Sequence, residues 1–544
     1  MELGFLEAKR QSFLKGAAIL AAASIFVKII GAVYKLPLFQ DGVLGVEGTG
    51  DFQVTYSVYT LILTISTAGI PAALSRLVSS ANARGDTNLV RRYFSVALPA
   101  FVLIGVIAML VMYFLADEFA LLMNNSMAAP GIRVLSPAVL FACIISVYRG
   151  YAQGFENMIP TAVSQIVEVV CKAVFGIAVA LWFVSMSYES HIVSAGAIVG
   201  VTIGLGLCVP LLFWYKKRMD RTLPAPDPVR EPQGNMSVFA RIMKVSIPIT
   251  LSASFMAIMV VIDNSIVLGR LQSALMYSET EARALFGIYS RGLTIYNLPP
   301  ALVVPVSVSI IPAIAAAIAR KREGEAGIIM QSSVKLVNLL AMPASAGMMV
   351  LAAPIMIALY NDSRQLTSTM LLILGAASFF VCLQYVTTSI LQATGHERVA
   401  LMTFPFGAAL KVVLGYFLAG NPDIGIIASP IGTLACFIVI SALNITFIMI
   451  RVKDRPKFSG VFIKPLLCSA VMAGAAFAVY ELTFRLGSGF IGTGRFTAVF
   501  CLGVAVVVGV AVYGLLIVVT RTVTKEDMKL VPKGERLAKL LRIK

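Results

Sequence analysis

Long apolar stretches alternate with short polar ones from one end of the chain to the other. Tyr93 to Ala116 and Phe496 to Thr520 contain no charged residue. A helix that crosses a bilayer needs roughly 20 such residues. The pattern predicts fourteen spanning helices. Six fall at about 14–36, 52–74, 93–115, 132–153, 160–183 and 192–215. Eight more follow at about 240–268, 285–319, 327–358, 366–392, 398–419, 425–450, 461–484 and 496–520. The first run is long for a cleaved signal and shows no small-residue cleavage site before Gln40 and Asp41, so it is expected to remain as a helix. The fold class expected is an all-α integral membrane protein.

Composition agrees. Of 544 residues, 58% are hydrophobic and 13% charged, about half the ~25% charged fraction of soluble domains. Basic residues concentrate on alternate loops and the two tails, with four in 76–92, six in 216–241, five in 451–464 and eight in 521–544. The intervening loops are poor in them, and the first carries Asp41, Glu47 and Asp51 with no Lys or Arg. The positive-inside rule then places both termini in the cytoplasm. Loops facing anionic lipid account for the net charge of +17, so no nucleic-acid partner is implied.

Several chemistries are excluded. The seven cysteines (143, 171, 208, 382, 436, 468 and 501) lie in predicted spans without a CxxC pair, which argues against a disulfide framework or a zinc site. His191 and His396 fall in loops on opposite sides of the membrane. No GxxxxGK[ST] sequence occurs, so no P-loop is present to hydrolyse nucleotide. No metal, cofactor or catalytic residue is expected.

The chain reads as a duplication. Ile70-Pro71-Ala72 recurs as Ile311-Pro312-Ala313, each followed by a short basic loop. A constant offset of 239 pairs Gln153 with Gln392, Lys172 with Lys411, and Gly176 with Gly415. Each repeat holds six helices, an even number, so both copies enter the membrane the same way up, with a substrate path expected between them. The domains expected are a six-helix bundle over 1–215, a cytoplasmic linker over 216–238 and a second bundle over 239–453. Helices 13 and 14 follow over 454–522, then a basic tail over 523–544.

Charges inside the spans carry the functional signal. Lys15, Lys28, Lys35, Lys172, Lys244, Arg291, Lys335 and Lys411 lie in or at the ends of spans. A lysine at the bilayer centre is costly unless it faces protein or water. Lys15, Lys35 and Lys244 are near enough to helix ends to snorkel. Lys28, Gly31 and Lys35 share a helix face. Glu168 stands one turn before Lys172, and a salt bridge within the helix is one reading of that pair; a substrate contact is the other. Asp263 is the acid deep in the second bundle, as an ion or proton site or as a structural partner. An interior richer in cations than in acids suits phosphate groups, for which Lys and Arg can replace hydration.

Five stretches resemble one family. They are Phe26-Val-Lys28-Ile-Ile-Gly31-Ala-Val-Tyr34-Lys35 with the following Gly50-Asp51-Phe52, Thr64-Ile-Ser-Thr-Ala-Gly-Ile-Pro71-Ala with Gly150-Tyr-Ala-Gln153-Gly154, and Tyr289-Ser-Arg291-Gly-Leu-Thr-Ile-Tyr-Asn-Leu-Pro299. They are similar to the polysaccharide-flippase branch of the MOP (multidrug/oligosaccharidyl-lipid/polysaccharide) superfamily, in particular stage V sporulation protein B and MurJ-type lipid II flippases. The resemblance implies two pseudo-symmetric six-helix bundles in a MATE-like V, alternating access, and two C-terminal helices forming a groove for a lipid tail. It implies functional roles for Lys28, Asp51 and Arg291. The sodium site of some members uses acids in the eleventh helix, where this sequence has only Lys411, so sodium coupling is not implied, although Asp263 remains a candidate ligand.

The function expected is a non-enzymatic flippase in the bacterial cytoplasmic membrane. It would move an undecaprenyl-diphosphate-linked envelope precursor, lipid II first, from the inner to the outer leaflet. Other lipid-linked polysaccharide units, a cation-coupled multidrug exporter and a scaffold are the alternatives. Lys28, Lys35, Asp51, Lys172, Arg291 and Lys411 are the candidate substrate contacts; Glu168 and Asp263 are candidates for ion coupling. The partners expected are the lipid-linked oligosaccharide, membrane lipids and cell-envelope synthesis proteins, with the membrane potential, H+ or Na+ as possible drivers.

Overall fold

The computed structural model describes residues 16, 19–20, 22–221, 234–319, 324–452, 459–491 and 494–522. Lys15, the basic loop at 320–323, the core of the expected linker at 222–233 and the basic tail at 523–544 lie outside the described residues. Among the described residues the fold is helical throughout, and none forms a strand. Two compact units divide the chain, Met1–Gly287 and Ile288–Lys544.

The first unit begins with α1 over residues 22–33 and α2 (Lys35–Leu38), followed by α3 (Gly45–Thr67), α4 (Ile70–Ala83) and α5 (Thr87–Phe114). A short α6 (Ala116–Leu122) leads to α7 (Ala129–Gly154), α8 (Ile159–Ser185), α9 (Ser190–Asp220) and α10 (Asn235–Ser273). The expected linker joins α9 to α10 inside this unit. α10 belongs here because it packs along α3, α4 and α5. The Gly69 amide donates to Thr250 Oγ1 at 3.1 Å, Asn264 Nδ2 to Ser57 Oγ at 3.0 Å and Gln272 Nε2 to the Asn124 carbonyl at 2.7 Å. Each bond satisfies a polar group that lipid could not. α8 and α9 touch through glycines. A Cβ on Gly200 would reach 2.6 Å from the Lys172 carbonyl, and one on Gly204 2.8 Å from that of Glu168, the small-residue packing that membrane helices favour.

The unit boundary falls within α11 (Glu279–Tyr296). The second unit continues through α12 (Leu298–Ala319), α13 (Glu325–Val350), α14 (Ala352–Tyr360) and α15 (Gln365–Ala393). α16 (Glu397–Leu418), α17 (Ala428–Arg451), α18 (Ser459–Ile491) and α19 (Arg495–Val519) complete it. α12, α13, α15 and α17 enclose an apolar core around Val334, Val386 and Ile390.

Among the described residues, twelve helices are long and apolar enough to cross a membrane. The two expected spans missing from that set have specific reasons. The first, 14–36, runs through residues outside the described set. The eighth, 285–319, is broken at Asn297 into α11 and α12. Pro299 and Pro300 have no N–H, so the carbonyls of Ile295 and Tyr296 lose their helical donors. Ser378 Oγ on α15 donates to the Tyr296 carbonyl instead, at 3.2 Å. Burial in protein differs sharply between helices. It covers 61% of the most apolar stretch in both α7 and α9 but 11% of that in α19, which is therefore mostly lipid-facing.

Candidate functional site

In the first unit the expected cations converge on aromatic rings. Lys172 sits at the middle of α8, which carries it across from Tyr56 of α3. Its Nζ donates to Tyr56 Oη at 3.1 Å and lies 4.6 Å from the centroid of that ring and 5.2 Å from that of Tyr34. Lys35, the first residue of α2, places its Nζ 5.8 Å from the same Tyr56 centroid, 5.7 Å from Phe39 and 5.9 Å from Phe52. Phe52 and Tyr56 are stacked, one helical turn apart on α3. Ring faces carry negative quadrupole density, worth more when water is excluded. Tyr34, Phe39 and Phe52 are buried, whereas Lys35, Tyr56 and Lys172 are partly exposed.

The salt bridge within α8 is not formed. Glu168 Oε2 instead takes Arg149 Nη2 of α7 at 2.9 Å, and Arg149 Nε donates to Ser164 Oγ at 2.9 Å. Guanidinium offers several donors in a fixed fork, so Arg149 serves the carboxylate and the hydroxyl together. Glu168 is thus committed to Arg149, and Lys172 meets no carboxylate among the described residues.

Asp51 is buried in α3 and grips Arg283 of α11 bidentately, Nε to Oδ1 at 2.8 Å and Nη2 to Oδ2 at 2.6 Å. Asn125 Nδ2 donates to Asp51 Oδ1 at 2.9 Å. The backbones of α3 and α11 meet at glycine. A Cβ on Gly287 would overlap the Val46 carbonyl, and one on Gly50 that of Arg283. Asp51 therefore closes a helix crossing in this structure and faces no open cavity. Lys28 is exposed on α1, and a Cβ on Gly31, one turn on, would make ordinary contact with Val169 of α8. Asp263 is buried in α10 beside Asn264; no residue group fit to hold a metal occurs among the described residues.

The second unit handles its cations similarly. Arg291 is fully buried, its Nη1 3.7 Å from Asp362 Oδ2, with the Tyr360 ring 5.3 Å from its guanidinium carbon. Asp362 also accepts from Arg364 Nε at 2.9 Å, Arg364 Nη2 at 2.6 Å and Thr367 Oγ1 at 3.0 Å. Burial pushes the Asp362 carboxyl up, but hydrogen bonds from Arg364 and Thr367 hold it below the usual carboxylate range. On α16, Lys411 lays its stem against Gly432 of α17; a Cβ there would stand 3.1 Å from Lys411 Cγ. Between α13, α18 and α19 an apolar cavity of about 430 Å³ is lined by Pro343, Gly347, Met472, Ala476, Gly509 and Tyr513 among others.

Sequence reasoning missed Tyr34, Tyr56, Arg149, Arg283 and Asp362. Arg149 was detectable, since it lies inside the predicted span 132–153. The others depend on which helices touch, which no local pattern encodes.

The polysaccharide biosynthesis protein family matches the chain over residues 13–318, more than half its length. The chain belongs to that family. Two curated relatives come from Bacillus subtilis (strain 168). "Lipid II flippase MurJ" is 26% identical, covering 92% of this chain and 94% of its own. "Stage V sporulation protein B" is 23% identical, covering 97% and 99%. A solved structure titled "Lipid II flippase MurJ, inward closed conformation" superposes with a TM-score of 0.66 at 14% identity, covering 92% of this chain and 98% of that one. The fold is therefore shared with that structure, and the twelve long apolar helices among the described residues mark a multi-pass membrane protein.

Proposed function

We propose that the protein flips an undecaprenyl-diphosphate-linked cell-envelope precursor, lipid II in the first instance, from the inner to the outer leaflet by alternating access. The observation that carries this reading is Lys172. An ammonium at mid-helix in a membrane protein, solvated by tyrosine rather than matched by a carboxylate, is a cation kept available for an anion. A diphosphate head supplies such an anion. The full-length similarity to relatives named as a lipid II flippase and a sporulation protein supports the class. The apolar cavity beside α18 and α19 suits a prenyl chain that stays in contact with lipid.

In this mechanism the head enters from the cytoplasmic side, Lys28 and the Lys35–Lys172 pair meet its phosphates, and the Asp51–Arg283 crossing opens to release it. Lys411 and Arg291 are the second unit's own candidate contacts. No bond is made or broken. A potential negative inside favours outward movement of anions by about 2.3 kcal/mol per charge per 100 mV, so the potential can drive the step, with Asp263 the remaining candidate for H+ or Na+ coupling. A different lipid-linked polysaccharide unit is the second reading, favoured by the description of the family. Envelope-synthesis enzymes would supply the substrate and consume it.

The deciding experiment is depletion of the protein followed by analysis of inner-leaflet lipids. Accumulation of lipid II supports the first reading, another undecaprenyl-linked glycan the second, and no accumulation of either would sink both. Lys28→Arg should retain flipping far better than Lys28→Gln at equal abundance, since charge is what the diphosphate requires.

A further inference from the structure

Two lysines sharing one aromatic ring is an unusual arrangement inside a membrane protein. Like charges repel, and neither Lys35 nor Lys172 has a carboxylate partner among the described residues. What they share is Tyr56, whose centroid lies within 6 Å of both ammonium nitrogens. Tyr56 also accepts a hydrogen bond from Lys172 through its hydroxyl. Its ring is backed by Phe52, nearly parallel at 5° and 6.0 Å away, and by Tyr59 at 5.7 Å. Phe39 and Phe52 flank Lys35, and Tyr34 flanks Lys172. The polar end of this cluster is partly exposed while its aromatic base is buried.

We propose that Tyr56 is a positioning residue that sets the separation of Lys35 and Lys172, so that the pair selects a diphosphate over a single phosphate. This rests on the flippase reading for its biological substrate, but the anion site is defined by residues of the first unit alone. A quadrupole holds a cation without neutralising it. The two ammonium groups thus sit desolvated on one side and spaced by the ring. In this arrangement an anion with two phosphoryl groups would take one cation at each end, whereas a single phosphate would engage the pair less fully. A carboxylate in place of Tyr56 would cancel one of the two charges and weaken the attraction.

The test uses the purified full-length protein and two probes, inorganic pyrophosphate and orthophosphate, measured by calorimetry. Wild type should bind pyrophosphate about tenfold or more tightly than orthophosphate, as expected for one additional charge-assisted contact. Lys35→Gln and Lys172→Gln should each erase that preference. Tyr56→Phe keeps the ring and should keep the preference within about threefold, since only the hydroxyl contact is lost. Tyr56→Leu should erase the preference while orthophosphate is still bound, which distinguishes loss of spacing from general damage. Wild-type preference in Tyr56→Leu overturns the proposal, as does equal loss of both affinities in a variant that unfolds at the wild-type temperature. The expected binding pattern without flipping of any lipid-linked diphosphate in proteoliposomes would retire the flippase reading and leave the anion site standing.

Discussion

A charged side chain within the membrane must meet its demand locally, and the structure shows three solutions. Lys172 is held by rings, Arg149 and Glu168 by each other, and Arg291 by an acid and a ring together. These assignments give opposite expectations for neighbouring pairs. In a double-mutant cycle on thermal unfolding, Arg149 and Glu168 should couple within the ~0.5–3 kcal/mol expected of contacting residues, whereas Glu168 and Lys172 should be additive to about 0.5 kcal/mol. Coupling of the second pair alone would restore the bond within α8. Asp362 allows a pH test. Its carboxyl is held below the ordinary value, so its contribution is complete above about pH 4 and is lost as pH falls through the depressed native value. Stability from this group should therefore be flat from about pH 5 to 8. Asp362→Asn should unfold earlier than wild type at neutral pH, and the difference should shrink in unfolding scans run progressively below about pH 4.

Elements meet where side chains are smallest. The crossing of α3 and α11 places Gly287 against the Val46 carbonyl and Gly50 against that of Arg283, and the Asp51–Arg283 bridge locks the same contact. Gly287→Ala forces two backbones apart and should cost at least the ~1–3 kcal/mol typical of overpacking. Gly42→Ala meets nothing within 4 Å and should leave the unfolding temperature unchanged. Removing Arg283 alone strands a buried carboxylate and should cost about 3–5 kcal/mol, with much of the loss recovered when Asp51 is also replaced by an apolar residue. The helices themselves were legible because length and hydropathy are local properties. The break at Asn297 was half legible: Pro299 and Pro300 marked a weak point in the eighth span, but the rescue of the Tyr296 carbonyl by Ser378 depends on α15, some eighty residues away. Lys28 and Lys172 could be singled out from insertion cost, and Lys35, near enough to a helix end to snorkel, only by sharing a face with Lys28. Their aromatic surroundings could not, because Tyr34, Phe39 and Tyr56 are ordinary residues until α1 to α3 pack beside α8.

At the scale of the molecule, orientation is the property that charge alone proposes. Single cysteines introduced in 216–238 or in the tail 523–544 should resist an impermeant maleimide added to intact cells and react after permeabilisation, because these segments carry much of the basic charge. Reaction in intact cells would invert the topology. The uneven burial of the helices bears on a different matter, the freedom of the sequence to drift. α7 and α9 are buried over most of their apolar length, whereas in α19 only about one position in nine is buried. A residue touching other residues is held to a volume and a shape, while one touching acyl chains is held only to being apolar. Saturation libraries should accordingly yield, for α7, a narrow set of permitted sizes at each position. For α19 they should yield almost any aliphatic or aromatic residue, with substitutions excluded only when they bring a charge.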